Sequence, residues 1–90
     1  MYADIHKDIE IAKRLLKKYG GKKLILFGSH ADGTADEFSD IDFAVDMDPK
    51  FFFKFYIELE AQINKKVDLI LIPSLMKKFR ERIEKKGVLC

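Results

Sequence analysis

Between residues 39 and 46 the chain reads SDIDFAVD, and apolar and acidic side chains alternate there with a period of two. That period describes a strand with one buried face. Ile41, Phe43 and Val45 fall on one side, and Asp40, Asp42, Ala44 and Asp46 on the other. The second face is unusually acidic, with Asp40 and Asp42 pointing the same way about 7 Å apart at Cα. Two carboxylates so placed can share a divalent cation. The bland alternative is a strand whose outer face is simply wet.

A second carboxylate position bears on that choice. Asp68 lies inside VDLILI at residues 67–72, a run short enough and apolar enough to be a buried strand. Burying a lone Asp is costly unless it is paired or holds a cation. If this strand lies beside the first, Asp68 joins Asp40 and Asp42 on one face. Three convergent carboxylates repel one another without a metal, and oxygen donors of this kind suit Mg²⁺. An ion pair from Asp68 to Lys65 or Lys66 is the competing reading.

Upstream, residues 24–33 read LILFGSHADG. The apolar run at 24–27 is closely bracketed by glycines and reads as a buried strand ending in Gly28-Ser29. A glycine there lets the backbone approach a ligand, and the serine offers a hydroxyl and an amide N–H to phosphate oxygens. Taken alone the Gly-Ser turn is a weak signal, since it lacks both the GxxxxGK[ST] and GxGxxG spacings. Its weight comes from lying one loop away from the paired carboxylates.

The remaining periodicities complete the order of elements. Ile5, Ile9, Ala12, Leu16 and Tyr19 recur at helical spacing, with Asp4 placed as a cap and Gly20-Gly21 as the stop. Residues 29–39 read as a short helix followed by loop. Asp48-Pro49 turns the chain into an amphipathic helix carrying Phe52, Phe55, Tyr56, Leu59 and Ile63 and ending near Asn64; Phe51 and Phe53 lie off that stripe. After the strand at 67–72, Ser74 is placed to cap a last helix whose buried side is Met76, Phe79 and Ile83, and Gly87 ends it, leaving Val88, Leu89 and Cys90 as an apolar tail. The expected fold class is therefore α/β (α+β): a three-stranded sheet with helices packed against it, as one domain over residues 1–90. Strand order is not readable from these patterns.

Composition narrows the function classes. Basic residues exceed acidic ones by only two (17 Lys and Arg against 15 Asp and Glu), which gives little support for non-specific nucleic-acid binding. The basic residues cluster at 13–23 and 77–86, where solvated helix faces account for them, while acids crowd 32–48. One cysteine allows no internal disulfide, and two histidines are too few for a zinc site. No apolar run approaches a membrane span and no signal-peptide pattern opens the chain, so a cytoplasmic location is expected.

The ordered set of Gly28-Ser29, Ala31 and Gly33, Ser39-Asp-Ile-Asp42 and Val67-Asp68-Leu69 resembles the minimal nucleotidyltransferases of the DNA polymerase β superfamily. The similarity runs over most of the chain. The resemblance implies a mixed sheet flanked by helices, and two Mg²⁺ ions held by Asp40, Asp42 and Asp68 as the catalytic residues. It also implies ATP gripped at Gly28 and Ser29, with Ser39 beside the first aspartate in the nucleotide-binding set. By the same resemblance Asp40 and Asp42 ligate both metals, and Asp68 ligates the catalytic one and helps activate an acceptor hydroxyl. The sequence departs from a common family pattern, G-S-R-A-R-G, at His30 and Asp32. Losing an arginine removes a bidentate phosphate contact, and Asp32 adds negative charge.

The short chain leaves almost nothing for an acceptor pocket, so the expectation is a homodimer or a second protein that supplies the acceptor. Phe51, Phe53, Val88 and Leu89 are candidates for such a contact, or else for core packing. Minimal nucleotidyltransferases of this kind are commonly antitoxins paired with a HEPN-domain ribonuclease toxin. The resemblance thus implies AMP transfer from ATP to that toxin together with binding of it. A contact-only antitoxin without catalysis is the second reading, favoured by His30 and Asp32. Transfer to a small molecule such as an aminoglycoside is the third.

Overall fold

A computed structural model describes residues 5–36 and 39–90. The elements run α1 (Ile5–Lys18), β1 (Lys23–Phe27), α2 (Ser29–Asp32), β2 (Ile41–Asp46), α3 (Pro49–Gln62) and β3 (Val67–Leu71). A 3₁₀ turn (Ile72–Ser74), α4 (Lys77–Lys86) and β4 (Val88–Leu89) follow. The sequence expectation that Asp4 caps α1 lies outside the described residues.

The sheet has four strands in the order β3-β2-β1-β4, not three. β1 runs antiparallel to β2 and to β4, while β2 and β3 are parallel, joined by the crossover helix α3. The extra strand is the tail at Val88 and Leu89, which pairs with Leu26 and Ile25 along the open edge of β1. The Cys90 N–H extends the pairing by donating to the Leu24 carbonyl at 2.9 Å. Two residues are too few to display a period, so only the unpaired edge of β1 explains why they become a strand.

Alternation in each strand builds two unequal faces. Leu24, Leu26, Ile41, Phe43, Val45 and Val67 point to the main core, where Ile5, Ala12, Leu15 and Leu16 of α1 and Phe55 and Leu59 of α3 meet them. Asp48 caps α3 by accepting from the Lys50 N–H at 3.0 Å, and Pro49 begins the helix where its missing N–H costs nothing. Phe51 joins the margin of this core, its ring 6.0 Å from that of Tyr19, whereas Phe53 is 72% exposed.

The opposite face carries only a small cluster: Ile25, Ala44 and Ile72, edged by Phe27, Ile70 and Ile83. Here α4 differs from expectation. Met76 is its N-cap residue and makes no side-chain cap, and the Ser74 hydroxyl instead donates to the Leu71 carbonyl at 2.7 Å. Met76 and Phe79 are exposed at 72% and 54%, so of the expected buried side only Ile83 reaches the sheet. This small apolar cluster shares its sheet face with the acidic positions of β2 and β3, which limits the apolar surface α4 can cover.

Candidate active site

The acidic positions meet because two registers coincide. Asp42 is the partner of Phe27 on β1, so the turn at Gly28 begins beside it; on its other flank Asp42 is the partner of Asp68 on β3. Residues paired across adjacent strands share a face, which puts both carboxyls on the side away from the main core. The register is anchored nearby. The Ile41 N–H donates to the Lys66 carbonyl at 3.0 Å, and the Tyr56 hydroxyl of α3 donates to the Val67 carbonyl at 2.9 Å, one residue before Asp68.

Gly28 turns the chain with φ 76° and caps the four-residue α2. A Cβ on Gly28 would lie 2.1 Å from Asp42 Oδ2. Only glycine permits both the positive φ and this approach. Gly33 closes α2 in the left-handed region, its N–H returning to the Ser29 carbonyl. The Ser29 hydroxyl has no hydrogen-bond partner among the described residues.

Asp42 carries the perturbation expected of such a cluster. Burial, then the charge and hydrogen bond of Asp68, then the charge of Asp40 raise its pKa from 3.8 to about 6, with His30 acting in the opposite direction. The ion pair considered for Asp68 does not form. Lys65 reaches Asp8 at 2.8 Å, and Lys66 lies 3.8 Å from Asp40 Oδ2. Among the described residues no group of three His, Cys, Asp or Glu side chains is already gathered closely enough to hold a metal ion. The donor set nonetheless fits a divalent cation: a carboxyl crowded by neighbouring carboxylates, as Asp42 is by Asp68 and Asp40, is one whose charge a hard oxygen-loving cation would relieve.

Two sequence candidates sit differently from expectation. The Ser39 hydroxyl accepts from the Asp36 N–H at 3.0 Å and lies 3.2 Å from Asp36 Oδ1, so it is engaged in shaping its own loop. His30 does not occupy the loop surface where an arginine would meet phosphate. It is 96% buried beneath α2, with neither ring nitrogen hydrogen-bonded among the described residues. Asp32 remains at the surface, its carboxylate held by the Thr34 N–H and hydroxyl at 3.0 and 2.6 Å, which lowers its pKa.

Sequence reading missed the other wall of this region. A cleft of about 270 Å³ opens beside the Gly28 turn, lined by Phe27, Gly28, Ala31 and Asp32 on one side and by Arg82, Ile83 and Lys86 of α4 on the other. Only the i, i+4 spacing of the two cations signalled it, and that spacing is equally the mark of a solvated helix face.

A glycine turn bearing Ser29, whose hydroxyl has no partner among the described residues, is thus set against register-paired carboxyls on a mixed sheet. Residues 9–90 match the model of the nucleotidyltransferase domain, and the chain belongs to that family. It is 39% identical over 80 residues to a Methanocaldococcus jannaschii chain named as a protein adenylyltransferase, covering 81% of this chain and 80% of that one. It is 36% identical over 67 residues to the protein adenylyltransferase MntA of Thermococcus cleftensis, covering 70% and 68% respectively. Among solved structures, a chain of a toxin–antitoxin complex with AMP-PNP superposes with a TM-score of 0.73 at 25% identity, over 91% of this chain and 70% of its own. The expected mixed sheet flanked by helices is thus borne out, with one strand more than foreseen.

Proposed function

We propose that this protein is an antitoxin that transfers AMP from ATP to a HEPN-type toxin and also binds it, with residues 1–90 acting as one minimal nucleotidyltransferase domain in the cytoplasm. Among the described residues no helix is long and apolar enough to cross a membrane. The observation that carries the reading is the closeness of Gly28 to Asp42, itself in register with Asp68. Phosphate bound at the turn would lie against the carboxyls. The relatives named as protein adenylyltransferases, and the toxin–antitoxin complex with AMP-PNP, support a protein acceptor and a nucleotide donor.

Asp40, Asp42 and Asp68 would hold Mg²⁺, two ions in this reading, which would supply charge neutralisation on the triphosphate. The chain's own residues do the rest. The Gly28-Ser29 backbone and the Ser29 hydroxyl orient the α-phosphate. An acceptor hydroxyl attacks the α-phosphorus in line, its bond to the bridging oxygen breaks, and pyrophosphate leaves. Asp68, exposed at the rim, is placed to take the proton of the acceptor hydroxyl. Phe53, Ile57, Val88 and Leu89 are among the exposed apolar residues offered to the partner.

The test is labelled-ATP transfer to the co-expressed toxin, with Mg²⁺ and with EDTA. Transfer that needs metal and is lost in Asp42→Asn is expected; transfer retained in both Asp40→Asn and Asp42→Asn would sink the mechanism. The contact-only reading gains from the pairing of Asp40 with Lys66 and from Asp32 beside the turn. Neutralisation in cells that survives replacement of the aspartates would establish it.

A further inference from the structure

The loop around Gly28 lacks any arginine or lysine between residues 28 and 36, yet a polyphosphate bound there carries several negative charges. The cleft beside the turn places two cations opposite it, from a different element. Arg82 and Lys86 stand one helical turn apart on α4, on the same wall as Ile83, and face the wall formed by Phe27, Gly28 and Asp32. Both are exposed, and among the described residues neither makes an ion pair or hydrogen bond. Their neighbour Glu84 is engaged with Lys23 at 3.3 Å, and the Asp32 carboxylate with Thr34. Among the residues lining the cleft, two uncommitted cations therefore face a single carboxylate, that of Asp32. The apolar floor of Phe27 and Ile83 keeps the field between them from being screened as it would be in open water.

Resting on the nucleotide reading of the Gly28 turn, we infer that Arg82 and Lys86 form the binding site for the β- and γ-phosphates of the bound triphosphate. They would supply from α4 the positive charge that the turn itself lacks. Gly28 joins the two regions, because it lines the cleft and also abuts the Asp42 carboxyl. The α-phosphate would sit at the turn and the two distal phosphates would extend toward α4. Arginine can grip such oxygens in pairs, while the lysine contributes a point charge.

The experiment is calorimetric titration of the full chain with ATP, AMP and inorganic tripolyphosphate. The wild type is compared with Arg82→Gln/Lys86→Gln and with a charge-matched control, Arg14→Gln/Lys17→Gln, on the exposed side of α1. Both substituted pairs are exposed, so folding should be retained, and circular dichroism checks it. Loss of two charge-assisted contacts should weaken ATP and tripolyphosphate by about tenfold or more. AMP, which lacks the distal phosphates, should bind as to wild type, and the control should match wild type throughout. If the wild type binds ATP and Arg82→Gln/Lys86→Gln binds it equally well, the α4 assignment is overturned while the nucleotide site stands. Failure of the wild type to bind ATP or tripolyphosphate would overturn the nucleotide reading and this inference with it.

Discussion

Gly28 and Asp42 stand so close that the smallest side chain at residue 28 would put a carbon 2.1 Å from the Asp42 carboxyl. The glycine thus brings the turn into contact with the acidic face. Gly28→Ala must also adopt a φ of 76°, at an expected cost of about 1–3 kcal/mol. The expected outcome is a lower melting temperature together with lost ATP binding. A variant that keeps wild-type affinity would show that the turn does not meet the nucleotide.

The raised pKa of Asp42 has a consequence for stability. Unfolded, the carboxyl titrates near 3.8; folded, near 6. Between these values the folded state holds the proton more firmly, so the contribution of this carboxyl to stability is largest at low pH, falls as pH rises from 3.8 to about 6, and is flat above. Asp42→Asn removes that dependence. Without metal, its stability should exceed wild type above pH 6 by something on the order of 1 kcal/mol, discounted for partial exposure. Unfolding curves measured from pH 4 to 7 in EDTA that stay parallel would contradict the assignment. Added Mg²⁺ should narrow the gap, because it favours the ionised carboxylate.

What the sequence made legible was local. The alternation through Ile41, Phe43 and Val45 and the apolar run before Gly28 each sit within one strand, and both strands formed where expected. The pairing of Asp42 with Asp68 depends on two parallel strands separated by α3, and no local pattern fixes such a register. The burial of His30 was equally hidden, since it depends on how α2 lies over β1 and β2. Met76 and Phe79 misled for a physical reason. Helical spacing shows that residues share a side, not that anything waits to cover it.

Asp42 and Asp68 should separate by role. Asp42→Asn removes the carboxyl between the turn and Asp68 and should abolish AMP transfer. Asp68→Asn removes the proton acceptor and should reduce transfer by about 10²–10⁴-fold while leaving ATP affinity within a few-fold. Single-turnover transfer measured beside equilibrium binding distinguishes the two. Equal losses in both assays for Asp68→Asn would mean that its part in holding metal and nucleotide outweighs its part as proton acceptor.

Asp8 and Lys65 hold α1 to the segment that leads into β3, across 57 positions of sequence. Asp8 is 94% buried, and its oxygen accepts from Lys65 Nζ at 2.8 Å. Breaking a buried pair from one side costs more than the pair contributes, because the remaining charge keeps its desolvation without its partner. Lys65→Met should therefore destabilise by about 1–3 kcal/mol, less than a fully enclosed pair because the lysine remains partly exposed. Adding Asp8→Leu should restore much of that loss, since an apolar pair of similar size carries no charge to desolvate. Chemical denaturation of the two singles and the double closes the cycle. Lys65 lies three residues before Asp68, so Lys65→Met should also loosen the entry to β3, seen as faster amide exchange at Val67 and Asp68 than at Phe43. Strictly additive single effects would show that the two residues act independently.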